Sequence, residues 1–282
     1  MTISIASGKG GTGKTTIATN LAGVLAKNGT KVKILDCDVE APNCHLFLRP
    51  RIEREQPVEL LVPEVDEKLC TLCGKCAEIC EYNAIVVIGQ SVLVFPELCH
   101  ACGGCSIVCP SGAVTEIEHK TGVVKTGTSD SIAFIAGELS IGEAKAPPVI
   151  KEVKKYITEE AVNIVDAPPG TSCPVVESVK HTDFVILVTE PTPFGLNDLI
   201  LAVEMVKKLE LPFGVIINRC DIGDERVMSY CQEQQIDVLM TIPQSREIAV
   251  AYSEGRLLID ALPEYRQKLQ SLYNSIRSIV SG

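Results

Sequence analysis

The chain has 282 residues, 46% of them hydrophobic and 22% charged, with a formal net charge of −10 at pH 7. Such a composition belongs to a globular protein with room for one large α/β domain or two smaller ones, and it excludes disordered and fibrous classes. The acidic balance argues against a nucleic-acid partner, whose phosphates require clustered Lys and Arg, and no apolar run has the length of a membrane span.

Residues 1–7 lack a basic leader and run directly into a glycine loop, so they read as a first strand and place the chain in the cytoplasm. After the strand Ile3–Ala6 come Gly8-Lys9-Gly10-Gly11-Thr12-Gly13-Lys14-Thr15-Thr16, a helix over Lys14–Lys27 and a strand over Val32–Leu35. The same rhythm resumes late in the chain. Ile132–Ile135, Asn163–Val165, Phe184–Val188, Phe213–Ile217 and Val238–Ile242 read as buried strands separated by helices, which predicts a parallel sheet covered on both faces. Residues 63–118 break the pattern with turns, cysteines and two small apolar runs, Ala84–Ile88 and Val92–Phe95. That segment carries eight acids and two bases over residues 64–118, and it is too small to bury much apolar surface by itself. The expected organisation is therefore a discontinuous domain, 1–62 and 119–282, interrupted by an inserted module, 63–118.

The loop at 8–16 satisfies G-x-x-x-x-G-K-[ST] between a strand and a helix. Its glycines let backbone N–H groups wrap phosphates, Lys14 reaches the outer phosphates, Thr15 takes Mg²⁺, and the helix N-terminus adds positive potential. Asp36 and Asp38 close the second strand and Asp166 a later one, at strand ends that face the ligand crevice of an open α/β sheet; each could instead cap a turn. The early Lys9 makes the loop resemble the deviant Walker A loop of the MinD, ParA, Mrp and nitrogenase iron-protein family. This resemblance covers residues 1–62 and 119–282. It implies an ATPase that closes as a nucleotide-sandwich homodimer, with Lys9 reaching the partner's nucleotide. It also implies that Asp38 directs the attacking water, that Thr15, Asp38 and Asp166 surround Mg²⁺, and that Gly170 lies in a second switch. Asn218-Arg219 resembles the family's adenine-recognition element.

Thirteen cysteines are many for a reducing compartment, where cysteine clusters signal metal ligation. Cys70-x2-Cys73-x2-Cys76-x3-Cys80 and Cys99-x2-Cys102-x2-Cys105-x3-Cys109-Pro110 repeat the bacterial ferredoxin spacing, in which the fourth cysteine of each run ligates the other cluster. One [4Fe–4S] cluster is expected on Cys70, Cys73, Cys76 and Cys109, and a second on Cys80, Cys99, Cys102 and Cys105. Glu81 stands where a proline usually follows the fourth cysteine. Tetrahedral zinc is the alternative for paired C-x2-C motifs. Cys173 lies where nitrogenase iron protein has a cysteine holding a subunit-bridging cluster, with Cys44 a remote second candidate; a buried or idle thiol is the alternative. His100, between two expected ligands, is either a tuning group or a solvated loop residue, and Tyr265–Val280 reads as an amphipathic helix docked on the sheet.

The expected function is nucleotide-driven dimer switching coupled to electron transfer toward a partner metalloprotein. The alternative is a scaffold or carrier for metal-cluster assembly, and a third reading is a spatial organiser like MinD.

Overall fold

The computed structural model describes residues 1–281. The strands are β1 Thr2–Ala6, β2 Val32–Asp36, β3 Arg51–Val65, β4 Ile85–Ile88, β5 Ser91–Val94, β6 Val114–Ser129, β7 Ile132–Leu139, β8 Val162–Asp166, β9 Phe184–Thr189, β10 Phe213–Asn218 and β11 Val238–Ile242. Nine of them form one sheet in the order β11-β10-β9-β1-β8-β2-β7-β6-β3, and β4 pairs with β5 in a separate hairpin. The pairs from β11 across to β7 are parallel. The two-residue connection between β6 and β7 suits antiparallel neighbours only.

Continuous apolar runs become central strands because both faces of the sheet are covered. In β9, Phe184, Ile186 and Val188 enter one core, beside the helix Lys14–Lys27 and the C-terminal helix Glu264–Ser281. The alternate residues Val185 and Leu187 enter the other core with Leu199, Val203 and Val206 of the helix Pro193–Lys208. The period of two along the strand thus divides one hydrophobic run between two cores. Tyr265, Leu269, Leu272 and Ile276 bury the apolar stripe of the last helix against this sheet. No described helix is long and apolar enough to cross a membrane.

The chain divides into two compact units. The first comprises Met1–Glu55, Val124–Glu138 and the chain from Ile150 on; the second comprises Gln56–Val123 with Leu139–Val149. β3 and β6 each run from one unit into the other, and neither long strand was expected from the sequence. Their pattern hides them: nearly every residue of Arg51–Gln56 is exposed, so no apolar alternation announces a strand.

Inside the second unit the chain repeats itself with a displacement of 29 residues, from Cys70 to Cys99. Left-handed backbone recurs at Leu72 and Ala101, at Gly74 and Gly103, and at Asn83 and Gly112. The one-turn helices Lys75–Glu78 and Gly104–Val108 occupy equivalent places. The apolar cores here are small, Val62, Ala84 and Cys99 in one and Cys76, Ile85 and Val114 in the other, with cysteine sulfurs among their members.

Candidate functional site

β1 delivers the glycine loop to the sheet's C-terminal edge. Gly13 adopts φ 102° to open the helix Lys14–Lys27, a conformation that a Cβ opposes. Gly8 lies so close to the neighbouring helix that a Cβ there would stand 2.1 Å from the carbonyl oxygen of Asp198. An open cleft is lined by Gly10, Gly11, Gly13, Lys14, Thr15 and Thr16 from the loop, by Asp38, and by Asn218 and Arg219. The Asn218 amide donates to the carbonyl of Thr12 at 2.8 Å, bracing the loop. The Thr12 hydroxyl is buried without a partner. Lys9 does not line this cleft; its ammonium pairs with Glu190 at 3.3 Å. Gly170, at φ 100°, donates its N–H to the carbonyl of Ser7.

Register sets the acidic residues. Asp36 pairs with Asp166 across β2 and β8, so two carboxylates end adjacent strands side by side. The Thr15 hydroxyl donates to Asp166 Oδ2 at 2.6 Å, and the Cys44 thiol reaches the same oxygen at 3.4 Å. Asp36 accepts the backbone N–H groups of Asp38, Asn43 and Cys44. Burial, then the charge of Asp166, pushes Asp36 up to about 8. Burial also raises Asp38 to about 6 against the pull of Lys14, with Asp166 and Glu40 adding to the rise. Such carboxylates gain most from a divalent cation, which would supply the charge that burial withholds. Asp166 and Thr15, with Asp38 at the cleft wall, are the groups able to hold Mg²⁺ beside a nucleotide.

The eight clustered cysteines separate into two cavities. One is lined by Cys70, Cys73, Cys76 and Cys109. The other is lined by Cys80, Cys99, Cys102 and Cys105. Each cavity therefore takes three sulfurs from one run and the fourth from the other. Backbone N–H groups of Leu72, Ala84 and Ala101 point at the sulfurs of Cys70, Cys80 and Cys99, an arrangement that favours thiolate. A single zinc ion with 2.3 Å bonds would bring its four sulfurs to about 3.8 Å from one another. Among the described residues no three of these sulfurs lie mutually within 4.8 Å, since the only such group of ligand atoms is Asp36, Cys44 and Asp166.

Glu190, Lys154 and Lys145 carried no signal in the sequence. Glu190, 8% exposed, holds both Lys9 and Arg219. Lys154 donates to the carbonyls of Glu177, Ser178 and Lys180 at the end of the helix Cys173–Val179. Lys145 donates to the carbonyls of Pro96 and Cys99, which pins the second cysteine loop. His100 stacks on Tyr82 at 3.6 Å beside that loop. Cys173 is exposed at the first position of its helix, while Cys44 is buried under Asp166. Cys173 and the remote second candidate, Cys44, thus stand in different environments.

Residues 3–259 match the CobQ/CobB/MinD/ParA nucleotide-binding domain family. An uncharacterised protein of Methanocaldococcus jannaschii is 32% identical, with 90% of each chain covered. A protein of Pyrococcus horikoshii named iron–sulfur cluster carrier protein is 28% identical over 98% of this chain and 87% of its own length. Among solved structures, the septum site-determining protein MinD of Pyrococcus horikoshii, complexed with Mg-ADP, superposes with a TM-score of 0.60 at 21% identity, covering 98% of this chain and 96% of that one. The cell division ATPase MinD of Pyrococcus furiosus gives 0.61 at 22%, covering 99% and 98%.

Proposed function

The chain belongs to the CobQ/CobB/MinD/ParA nucleotide-binding family, and on that footing we propose that it is an ATP-hydrolysing iron–sulfur protein whose nucleotide state governs the handling of [4Fe–4S] clusters. The observation that carries this reading is the crossed division of eight cysteines into two cavities of four. Lys14 and the backbone of Gly10–Gly13 would cradle the phosphates, Thr15 and Asp166 would hold Mg²⁺, Asp38 would orient the attacking water, and Lys9 would reach the nucleotide of a second copy of the chain. The cysteine module follows the Asp38 loop in the chain by way of the helix Cys44–Leu48 and β3, so a change in that loop on hydrolysis has a covalent route toward the cysteines.

The cluster-carrier relatives favour a role in which clusters are passed to an acceptor apoprotein. The test is anaerobic incubation of the iron-loaded protein with an apo-ferredoxin under ATP, ADP or no nucleotide, followed by iron analysis of the separated acceptor. Iron appearing in the acceptor in a nucleotide-dependent manner is expected. Iron retained equally under all three conditions would remove the carrier reading.

A second reading, electron delivery to a partner metalloprotein, is favoured by the completeness of both quartets, because four cysteines hold a cluster more firmly than an open site. Bound clusters would supply one-electron chemistry. Nucleotide-dependent reduction of an acceptor without iron transfer would select it.

A further inference from the structure

Asp36, Cys44 and Asp166 each offer one ligand atom, and these three atoms lie within 4.8 Å of one another with all three residues fully buried. The parallel register places the two carboxylates side by side. The turn after β2 then brings Cys44 back over them, because Asp36 accepts the N–H groups of both Asn43 and Cys44. The thiol points at Asp166 and away from solvent. Among the described residues no ion pair reaches Asp36 or Asp166, and the one cation whose charge favours ionised Asp166 is Lys14, which belongs to the phosphate loop. Moreover, Asp166 Oδ1 is buried with no hydrogen-bond partner. An unpartnered buried carboxylate oxygen is costly unless a cation meets it. None of the three residues lines the nucleotide cleft; they lie behind its wall, where Thr15 touches Asp166 from the cleft side.

We propose that Asp36, Cys44 and Asp166 form a binding site for a thiophilic divalent cation, of the Zn²⁺ or Fe²⁺ class, behind the nucleotide cleft. The donor set decides the class. Mg²⁺ takes oxygen ligands and keeps several waters, so a buried thiol is of no use to it, whereas one thiolate and two carboxylates suit zinc and ferrous ions. Binding releases the thiol proton and the proton held between the buried carboxyls to solvent and forms one metal–sulfur and two metal–oxygen bonds, with no change of oxidation state. Because Asp166 also holds Thr15, an ion there competes with Thr15 for the carboxylate and lowers ATP turnover. Thiophilic metal in excess would thus slow the ATPase.

The test uses the full chain with its iron content measured first, dialysed against ZnCl₂ at fixed free concentration. The wild type is expected to hold one more zinc per chain than Cys44→Ala or Asp36→Asn at equal iron content, and its ATPase to be inhibited by zinc more strongly than that of Cys44→Ser. X-ray absorption at the zinc edge of the wild type should show one sulfur at about 2.3 Å and oxygens at about 2.0–2.2 Å. Equal zinc content in wild type and variants would overturn the proposal, as would a shell of four sulfurs, which would put the zinc in the cysteine module. Since zinc is compared at equal iron content, loss of the cluster reading alone leaves this outcome readable.

Discussion

Lys9 Nζ lies 3.3 Å from one oxygen of Glu190, and Arg219 Nη1 lies 2.7 Å from the other. One nearly buried carboxylate thus holds two cations that flank the nucleotide loop. Lys9 is 32% exposed, so solvent screens this pair and its rupture is inexpensive. If Lys9 reaches a partner's nucleotide, the pair with Glu190 has to open first. Glu190→Gln should therefore shift the ATP-dependent monomer–dimer equilibrium toward dimer, read by sedimentation velocity with ATP against ADP. It should cost only about 1 kcal/mol of stability, since both cationic partners are screened by solvent. Unchanged or weaker dimerisation would show that Glu190 does not restrain Lys9.

Asp38 gives the ATPase a pH dependence. Burial raises it to about 6 even though Lys14 pulls the other way, and only its ionised form can accept a hydrogen bond from water. The value of kcat/KM, which reports the free enzyme, should rise with pH to a plateau with its midpoint near 6. Asp38→Asn should lower the rate by on the order of 10²–10⁴-fold. A profile that is flat across that range would remove Asp38 from the water-directing role.

Asp36 makes a different, thermodynamic prediction. Its folded pKa is about 8 against an ordinary 3.8, first through burial and then through Asp166. Between those values the folded state binds a proton that the unfolded state has released, so stability falls as pH rises across this window. The melting temperature of the nucleotide-free protein should decline from about pH 5 to 8, and Asp36→Asn should flatten that decline. An equal slope in the variant would assign the titration elsewhere.

At Gly8 an added Cβ would stand 2.1 Å from a backbone oxygen of Asp198, whereas at Gly10 it would meet nothing within 4 Å. Gly8→Ala should therefore destabilise the chain by about 1–3 kcal/mol or more, and Gly10→Ala should stay within about 1 kcal/mol of the wild type. Chemical denaturation of the two variants side by side checks the contrast. Similar losses at both positions would mean that the helix bearing Asp198 moves aside.

The central strands and the glycine loop were legible because a fully buried parallel strand is written as a continuous apolar run and a phosphate loop as fixed residue types. β3 and β6 were not legible, because an exposed strand such as Arg51–Gln56 has no apolar face to display. Lys9, Asp38 and Asp166 could be singled out as members of motifs. Glu190 could not, since it matters only through Lys9, more than a hundred residues away, and Cys44, named only as a remote candidate for a bridging cluster, meets Asp166 from just as far along the chain. Lys145 likewise acts on Cys99 from a segment with no cysteine in it. The turn that carries Cys44 over the two carboxylates exists only once the strands are paired.

The crossing of the two cysteine runs gives a prediction that sequence neighbours alone would get wrong. Cys109 follows Cys105 by four residues, yet it lines the cavity of Cys70, Cys73 and Cys76, while Cys80 lines that of Cys99, Cys102 and Cys105. The charge of Cys109 also raises Cys76, after burial and together with Cys70, as expected of sulfurs facing one cavity. Cys109→Ala should therefore remove the same low-temperature EPR signal as Cys70→Ala, and Cys80→Ala the same signal as Cys99→Ala. Each variant should retain about four of roughly eight irons per chain. If Cys109→Ala instead matched Cys99→Ala, each run would hold its own cluster. The two loops would then be independent, and removing one cluster would leave the other half of the unit as stable as before. With crossed ligation, loss of either cluster releases a cysteine from each run, so thermal unfolding of the unit should broaden and move down in all four variants.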